Sequence, residues 1–521
     1  MTGILEKTGK FIGVLAFAAS LALTTAIVEA KSLRTNIGAD AKTLNPIPNS
    51  ELISGNIISQ MYETLTALDV NGKVVPGLAV KWEGAADGKS FKFWLREGVN
   101  FHSGRTMTAA DVKWTFEQVL TPAKKGGLMV DSINRIVGAK DMLDGKATTL
   151  SGFKIIDDLT FEISFTAPSV IFPLYELFVV DSGIEKEHGE DWSQKVSGGT
   201  GPFKYSEWKR GVSVDIAAHA GYWNGAAQID GVSFLVVPNI ETALTMYEAG
   251  ELDLVSIPRS SVRNVKKDPR FAGQLMEKPA AQVAYLGMNQ NLYAPFKDIR
   301  VREAMAISVD RDAMVKGLYG GAAFPAYGQI APAFPGYDAS TPAIPYDVAK
   351  AKKLMSEAGF PDGKGLPPLT IQGTPRDKTL LAFYANNYKK NLGMDITVKV
   401  VERGTHIKGM NGGKVPFFPW GWTADYADPA TFLSDLYYSK SKWNRVRYSN
   451  PAFDALMDKA LETADDTKRF ALYNQADRVL INDYGTIPTT VRMQIGVIKP
   501  TVKNVHLTPM GYMPFWDVTI D

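Results

Sequence analysis

Cysteine is absent from the 521 residues. That excludes disulfides, thiolate metal sites, a cysteine nucleophile and a lipid-modified N-terminal cysteine. Histidine is scarce: His102, His188, His219, His406 and His506 lie far apart, and none stands four residues from another on a helix. Helical metal spacing is therefore missing, and each reads as a surface or structural residue. Charge of one sign is missing too, with 57 Lys and Arg against 55 Asp and Glu and no long basic run. A nucleic-acid partner has no electrostatic footprint here. No G-x-S-x-G elbow occurs, and Ser197-Gly198-Gly199-Thr200-Gly201-Pro202 lacks the Lys-Ser/Thr that would make it a phosphate loop. It reads instead as a tight turn entering a strand at Phe203–Trp208. With no nucleophile–base pair and no metal cluster, a hydrolase is unsupported, no cofactor is expected, and the chain does not read as an enzyme.

Long apolar runs are equally few. The single one extends from Phe11 to Val28, behind Lys7 and Lys10, and is followed by Val28-Glu29-Ala30. Small or apolar residues at −3 and −1 fit cleavage after Ala30, so residues 1–30 are expected to be a signal peptide. A membrane anchor is the alternative, but Gly13, Ser20, Thr24 and Thr25 dilute the run. The mature chain is expected to be soluble outside the cytoplasm, in the periplasm.

What remains is a balanced globular composition, 45% hydrophobic and 21% charged, long enough for two or three domains. Strand and helix patterns alternate, which predicts a mixed α/β fold. Asn71-Gly72 between Leu65–Val70 and Lys73–Leu78 predicts a hairpin. A second joins Ala79–Trp82 to Phe91–Leu95 across Asp87-Gly88, with Phe91, Phe93 and Leu95 on one face. A third joins Lys154–Ile156 to Thr160–Phe165. Thr108 precedes a helix over 109–120 whose Val112, Thr115, Phe116 and Val119 share a face. Lys378–Leu392 is a helix ended by Gly393, followed by a strand over 395–401 with Ile396, Val398 and Val400 on one face. Asn450-Pro451 caps and starts another helix. The Pro- and Gly-rich stretches 319–345 and 360–368 read as functional loops or wrapping segments.

One aromatic, acidic constellation stands out. Trp420 and Trp422 flank Gly421, and Thr423-Ala424-Asp425-Tyr426-Ala427-Asp428-Pro429 follows. An apolar run that breaks into rings and a carboxylate suits a cationic, partly apolar ligand. In composition alone an Asp there is more often a turn cap.

Several blocks together resemble the family 5 extracellular solute-binding proteins, which include oligopeptide-, dipeptide- and nickel-binding members. The most specific is Pro76-Gly77-Leu78-Ala79 through Trp82, then Phe91 to Val99, Phe101-His102-Ser103-Gly104 and Thr108-Ala109-Ala110-Asp111-Val112. Gly199-Thr200-Gly201-Pro202-Phe203, Tyr222-Trp223-Asn224, Phe296 to Arg302 with Ala304, Asp310-Arg311, and Leu354 to Phe360 support it. The resemblance implies a two-lobed clamshell with an extra small domain, its discontinuous lobes joined by a two-segment hinge. One lobe would comprise about 31–62, 181–284 and 489–521, the small domain 63–180, and the other lobe about 285–488. It implies a monomer that captures a short peptide or other small ligand for ABC permease transmembrane subunits. Carried over, Asp425 would pair with a peptide α-ammonium, Trp422 would pack beside the first residues, and backbone over Trp420, Gly421, Trp422 and Thr423 would pair with the ligand as an added strand. Glu51 would lie near the ligand backbone. The sequence departs from the peptide binders where basic side chains upstream of Gly421-Trp422 would hold the ligand carboxylate. Between Met410 and Trp420 only Lys414 is basic, so Arg403, Lys408 or an arginine elsewhere would have to substitute. An oligosaccharide, an opine-like conjugate or a metal chelate remains open as alternative cargo.

Overall fold

The computed structural model describes residues 31–70, 72–127, 129–169, 177–259, 261–332 and 334–521, with the side chains of Asp131 and Ser132 left aside. The expected signal peptide and the Asn71 turn residue lie outside the described residues.

The predicted hairpins form where alternation placed them. Thr66–Leu68 pairs antiparallel with Val74–Pro76. Ala79–Gly84, Ser90–Leu95, Thr160–Ser164 and Phe153–Asp157 make a separate four-stranded sheet in that order. Phe91, Phe93 and Leu95 are buried on its inner face. Against it lies the helix Ala109–Leu120, whose first turn is closed by Asp111 accepting from the Thr108 amide at 2.9 Å. Arg105 bridges that same buried Asp111 to Asp181.

The main sheet runs through the whole molecule. Its order is Ile396–Val400, Leu369–Gly373, Phe417–Thr423, Leu275–Met288, Ile487–Ile498, Leu254–Ser256, Ser32–Ile37, Gly231–Val236, Ser213–Ala218, Phe203–Lys209, with Ala323–Pro325 also pairing on Ile487–Ile498. Two long antiparallel strands carry the chain across the middle. Leu275–Pro279 pairs with Met493–Val497, whose neighbour on the other side is Leu254–Ser256. After a register shift between Pro279 and Val283, the same strand pairs with Val491 to Ile487 and borders Phe417–Thr423. A bulge frees backbone bonds and bends a ladder locally. The shift falls between the part of the strand pair that meets Leu254–Ser256 and the part that meets Phe417–Thr423, within the strands that join the two lobes.

Three apolar cores fill the fold. The first gathers Leu33, Phe93, Phe116, Trp192 and Phe234 around the N-terminal lobe and the small sheet. The second, with Met305, Tyr388, Phe417 and Ile487, and the third, with Phe418, Phe432, Tyr473 and Val491, lie on opposite faces of the C-terminal part of the sheet. Successive residues of a strand face opposite ways, so Phe417 enters one core and Phe418 the other. Helix Lys378–Leu392 buries Leu381, Tyr384, Tyr388 and Leu392, and Gly393 ends it at φ +70°. Ile396–Val400 is an outermost strand, and its Val398 and Val400 stay exposed. Helix Pro451–Leu461 starts at Asn450, whose side chain accepts from the amides of Ala452 and Phe453. The segment 319–345 wraps the third core through Ala326, Ile330, Ala331 and Phe334. No helix among the described residues is long and apolar enough to cross a membrane.

Candidate functional site

Strand Phe417–Thr423 is paired along its whole length on one edge only. Leu275–Met288 covers it from Met288 opposite Phe417 to Gln282 opposite Thr423. On its other edge Leu369–Gly373 meets it at a single point, Ile371 opposite Phe417. Among the described residues no strand continues that pairing from Phe418 to Thr423. An unpaired edge is a template for an added strand. The alternation that buries Phe418 turns Trp420 and Trp422 to the same side, beside Tyr285 and Val283 of the neighbouring strand.

The strand ends in a loop that is fixed from below. Thr431 Oγ1 accepts from Trp422 Nε1 at 3.2 Å and from the Asp425 amide at 3.1 Å. Asp425 itself is exposed, while Ala424, Tyr426, Ala427 and Asp428 around it are buried. Next to this loop Tyr426 donates its hydroxyl to Asp435 Oδ2 at 2.9 Å. Burial pushes the Asp435 carboxyl up to about 7; the Tyr426 bond opposes the rise and the Asp425 charge adds to it.

The expected residues divide into two groups. Trp420, Gly421, Trp422, Thr423 and Asp425 lie on one continuous segment, and Arg403 joins them with its guanidinium 5.8 Å from the Trp420 ring centre. Glu51 stands apart from them as the cap of helix Leu52–Met61, accepting from the amides of Ser54 at 2.8 Å and Ile53 at 3.2 Å. Burial works to raise its carboxyl, but those bonds outweigh it and hold it below its ordinary value.

Sequence reasoning missed Arg445. Its guanidinium carbon lies 4.9 Å from the Trp420 ring centre, 5.5 Å from that of Trp422 and 5.7 Å from that of Trp443. Its Nε donates to Asn411 Oδ1 at 2.8 Å. His406, expected as surface or structural, is fully buried with its ring 5.7 Å from Trp420. Both come from elements distant in sequence, and an arginine in Lys440 to Arg447, a stretch of mixed basic residues, carries no local signal of burial. A cavity of about 270 Å³ lies close to the same core. Leu68, Met510 and Tyr512 line it and also pack against the core that holds Trp420 and Trp422. Glu63, also in its lining, accepts from Thr200, Tyr222 and Trp223. Among the described residues no cluster of His, Cys, Asp and Glu could hold a metal ion.

The likenesses to known proteins cover almost the whole chain. The family description "Bacterial extracellular solute-binding proteins, family 5 Middle" matches residues 73–444. Heme-binding protein A of Haemophilus influenzae is 28% identical over 96% of this chain and 95% of its own. The periplasmic oligopeptide-binding protein OppA of Salmonella typhimurium is 30% identical, with 96% of each chain covered. Among solved structures, the murein tripeptide-binding protein MppA in its unliganded open form is 25% identical and superposes with a TM-score of 0.85 over 94% of this chain and 98% of that one. Haemophilus influenzae OppA in complex with the peptide RPPGFSPFR, also 25% identical, superposes at 0.69 over 94% and 99%. Fold, family match and coverage agree: the chain belongs to the family 5 bacterial extracellular solute-binding proteins.

Proposed function

We propose that this protein captures a short peptide in the cleft between its lobes and delivers it to an ABC permease, exported to the periplasm with residues 1–30 removed. One observation carries the reading: the open edge of Phe418–Thr423 leads directly to the exposed Asp425. Main-chain bonds along that edge give affinity that is indifferent to side chains, and a carboxylate at its end selects a free amine. The related OppA proteins, named for oligopeptides, support the cargo. The register shift at Pro279 to Val283 is where the lobes turn, and ligand stabilises the closed arrangement by binding it better than the open one. The lobe limits near 284 and 488 fall inside the two connecting strands. In this role the protein binds and releases its ligand unchanged.

A second reading, non-peptide cargo, is favoured by the group of Trp420, Trp422 and Trp443 around Arg445, which would stack equally well on a flat anionic ligand. Heme-binding protein A is as similar overall as OppA. Thermal unfolding with mixed tri- to pentapeptides separates the two. Ligand at a hundredfold over its Kd adds roughly 2.7 kcal/mol. A stabilisation that vanishes when the same peptides are N-acetylated supports the peptide reading with Asp425 reading the amine. No stabilisation by either set overturns it in favour of the second.

A further inference from the structure

Among the described residues, three N–H groups around Trp420 have no acceptor. Arg445 Nη1, Trp420 Nε1 and His406 Nε2 are each cut off from solvent and make no hydrogen bond. The His406 assignment follows from its other nitrogen: Nδ1 lies 3.1 Å from Gln372 Nε2, so Nδ1 accepts and the ring proton sits on Nε2. Leaving one buried donor unmade costs about 1–3 kcal/mol, and here three gather at one indole, its own N–H among them.

The charge is more telling still. Arg445 is 4% exposed, and among the described residues no carboxylate lies within ion-pair distance of it. Its polar surroundings are Asn411, the Tyr285 hydroxyl and a second cation, Arg403. Burial displaces its guanidinium below the ordinary value, and Arg403 adds to that. A buried cation without a counter-ion is among the most costly features a fold can keep. Other buried arginines are better satisfied: Arg469 pairs with Asp428 and Arg302 with Asp483, and Arg311, which has no carboxylate beside it, gives its N–H groups to the carbonyls of Ala306, Val309 and Pro488.

We propose that Arg445, Trp420 Nε1 and His406 Nε2 form a subsite for a carboxylate of the ligand. The inference rests on the reading of the Phe417–Thr423 edge as a ligand platform and names what holds the ligand's acidic group. Guanidinium and indole N–H together supply charge-assisted bonds to two carboxylate oxygens, and the three rings exclude water from them. Trp420 and Trp422 are themselves partly exposed, so a turn of one indole opens the guanidinium to the cleft. The subsite also limits ligand length. From Gly421, between the two rings that Arg445 covers, to Asp425 is at most about 13 Å at about 3.3 Å per residue. That span fits a tri- or tetrapeptide whose amine meets Asp425 and whose carboxylate meets Arg445.

Calorimetry and thermal unfolding of the wild type and Arg445→Met test this with four probes: a tetra-alanine, its C-terminal amide, an amidated tetrapeptide with one Glu, and acetate. The expected result is that wild type binds tetra-alanine about 100-fold more tightly than its amide, while Arg445→Met does not distinguish them. Recovery of affinity by the Glu peptide assigns the subsite to an acidic side chain, and no recovery assigns it to the chain terminus. Arg445→Met without ligand should unfold no earlier than wild type, because the substitution removes an uncompensated buried charge. Acetate should raise the wild-type Tm and not that of Arg445→Met. If acetate acts in this way but no peptide binds, the carboxylate subsite stands and the peptide reading falls. Equal binding of acid and amide by the wild type, or an Arg445→Met protein that is destabilised yet still prefers the acid, overturns the proposal.

Discussion

Arg469 donates from Nε to Asp428 Oδ2 at 2.8 Å, with side chains 2% and 0% exposed. The pair is the foundation of the loop that presents Asp425. Asp428 uses its other oxygen to accept from the Ala430 amide at 2.9 Å, which opens the short turn Pro429–Thr431. Thr431, at the end of that turn, holds Trp422 and the Asp425 amide. Arg469 belongs to helix Asp466–Asn482 and also donates to the carbonyls of Thr463 and Ala464. A rigid helix is thereby tied to the ligand-facing strand through four residues.

Removing one partner of such a pair strands the other. Arg469→Met should cost about 3–5 kcal/mol of stability in urea unfolding. A double variant with Asp428→Leu should recover much of that, since the stranded charge is gone. A loss below about 1 kcal/mol, the range of an exposed pair, would mean the loop is held by its packing alone.

Thr431→Val keeps the shape and removes the shared acceptor. Trp422 Nε1 and the Asp425 amide both lose their partner, so stability should fall by about 1–3 kcal/mol. Peptide affinity should fall with it, since the loop that positions Asp425 loosens. Unchanged affinity in calorimetry would show that Asp425 is positioned without this bond.

How far the sequence could be read follows from the range of each interaction. Thr108 with Asp111, Asn450 with Pro451, and Gly393 after Leu392 are local devices, and each marks its helix end within one residue. The strand Phe417–Thr423 and its acidic loop were legible because rings, glycine and carboxylate fall within one short segment. Glu51 was placed near ligand by resemblance, and the structure adds that its carboxylate caps the helix that begins at Leu52. Arg445 and His406 were beyond reach. Their meaning lies in what surrounds them, and those neighbours, Asn411, Gln372 and Tyr285, are 34 to 160 positions away in the chain.

Gly199 illustrates a local motif with a distant reason. The segment 197–202 reads as a turn, yet what demands glycine is the helix Leu52–Met61 lying against it. A Cβ at Gly199 would stand 2.0 Å from the Met61 carbonyl oxygen, and one at Gly201 would be 2.7 Å from the Met61 carbonyl carbon. Neither backbone can move alone, because the Gly201 amide donates to that same Met61 oxygen at 3.0 Å. Gly199→Ala should destabilise by more than about 3 kcal/mol, whereas Gly211→Ala, with open space around it but φ +73°, should cost only its backbone strain of about 1 kcal/mol. Equal losses at the two sites would refute close approach as the reason.

Asp435 gives the protein a pH dependence of definite sign. In the unfolded chain its carboxyl titrates near its ordinary value of about 3.9; in the folded protein burial raises it to about 7, with Asp425 and Asp428 adding to the rise and Tyr426 and Arg135 opposing it. Between those two values the folded state holds a proton that the unfolded state has released. Stability therefore falls as pH rises from about 4 to about 7, and is flat on either side as far as this group is concerned. Asp435→Asn keeps an acceptor for the Tyr426 hydroxyl and removes the titration. The variant should be more stable than wild type at pH 8 by a few kcal/mol, with the advantage shrinking to nothing near pH 4. Asp477, raised by burial to about 6, contributes equally to both proteins and cancels in the difference. A ligand amine beside Asp425 favours the ionised form of Asp435, so peptide binding near pH 6 should release protons, measurable as a dependence of the binding heat on buffer ionisation. N-acetylated peptides should show none of it. A stability difference that is constant from pH 4 to pH 8 would mean that Asp435 is ionised throughout and that Tyr426, not burial, governs it.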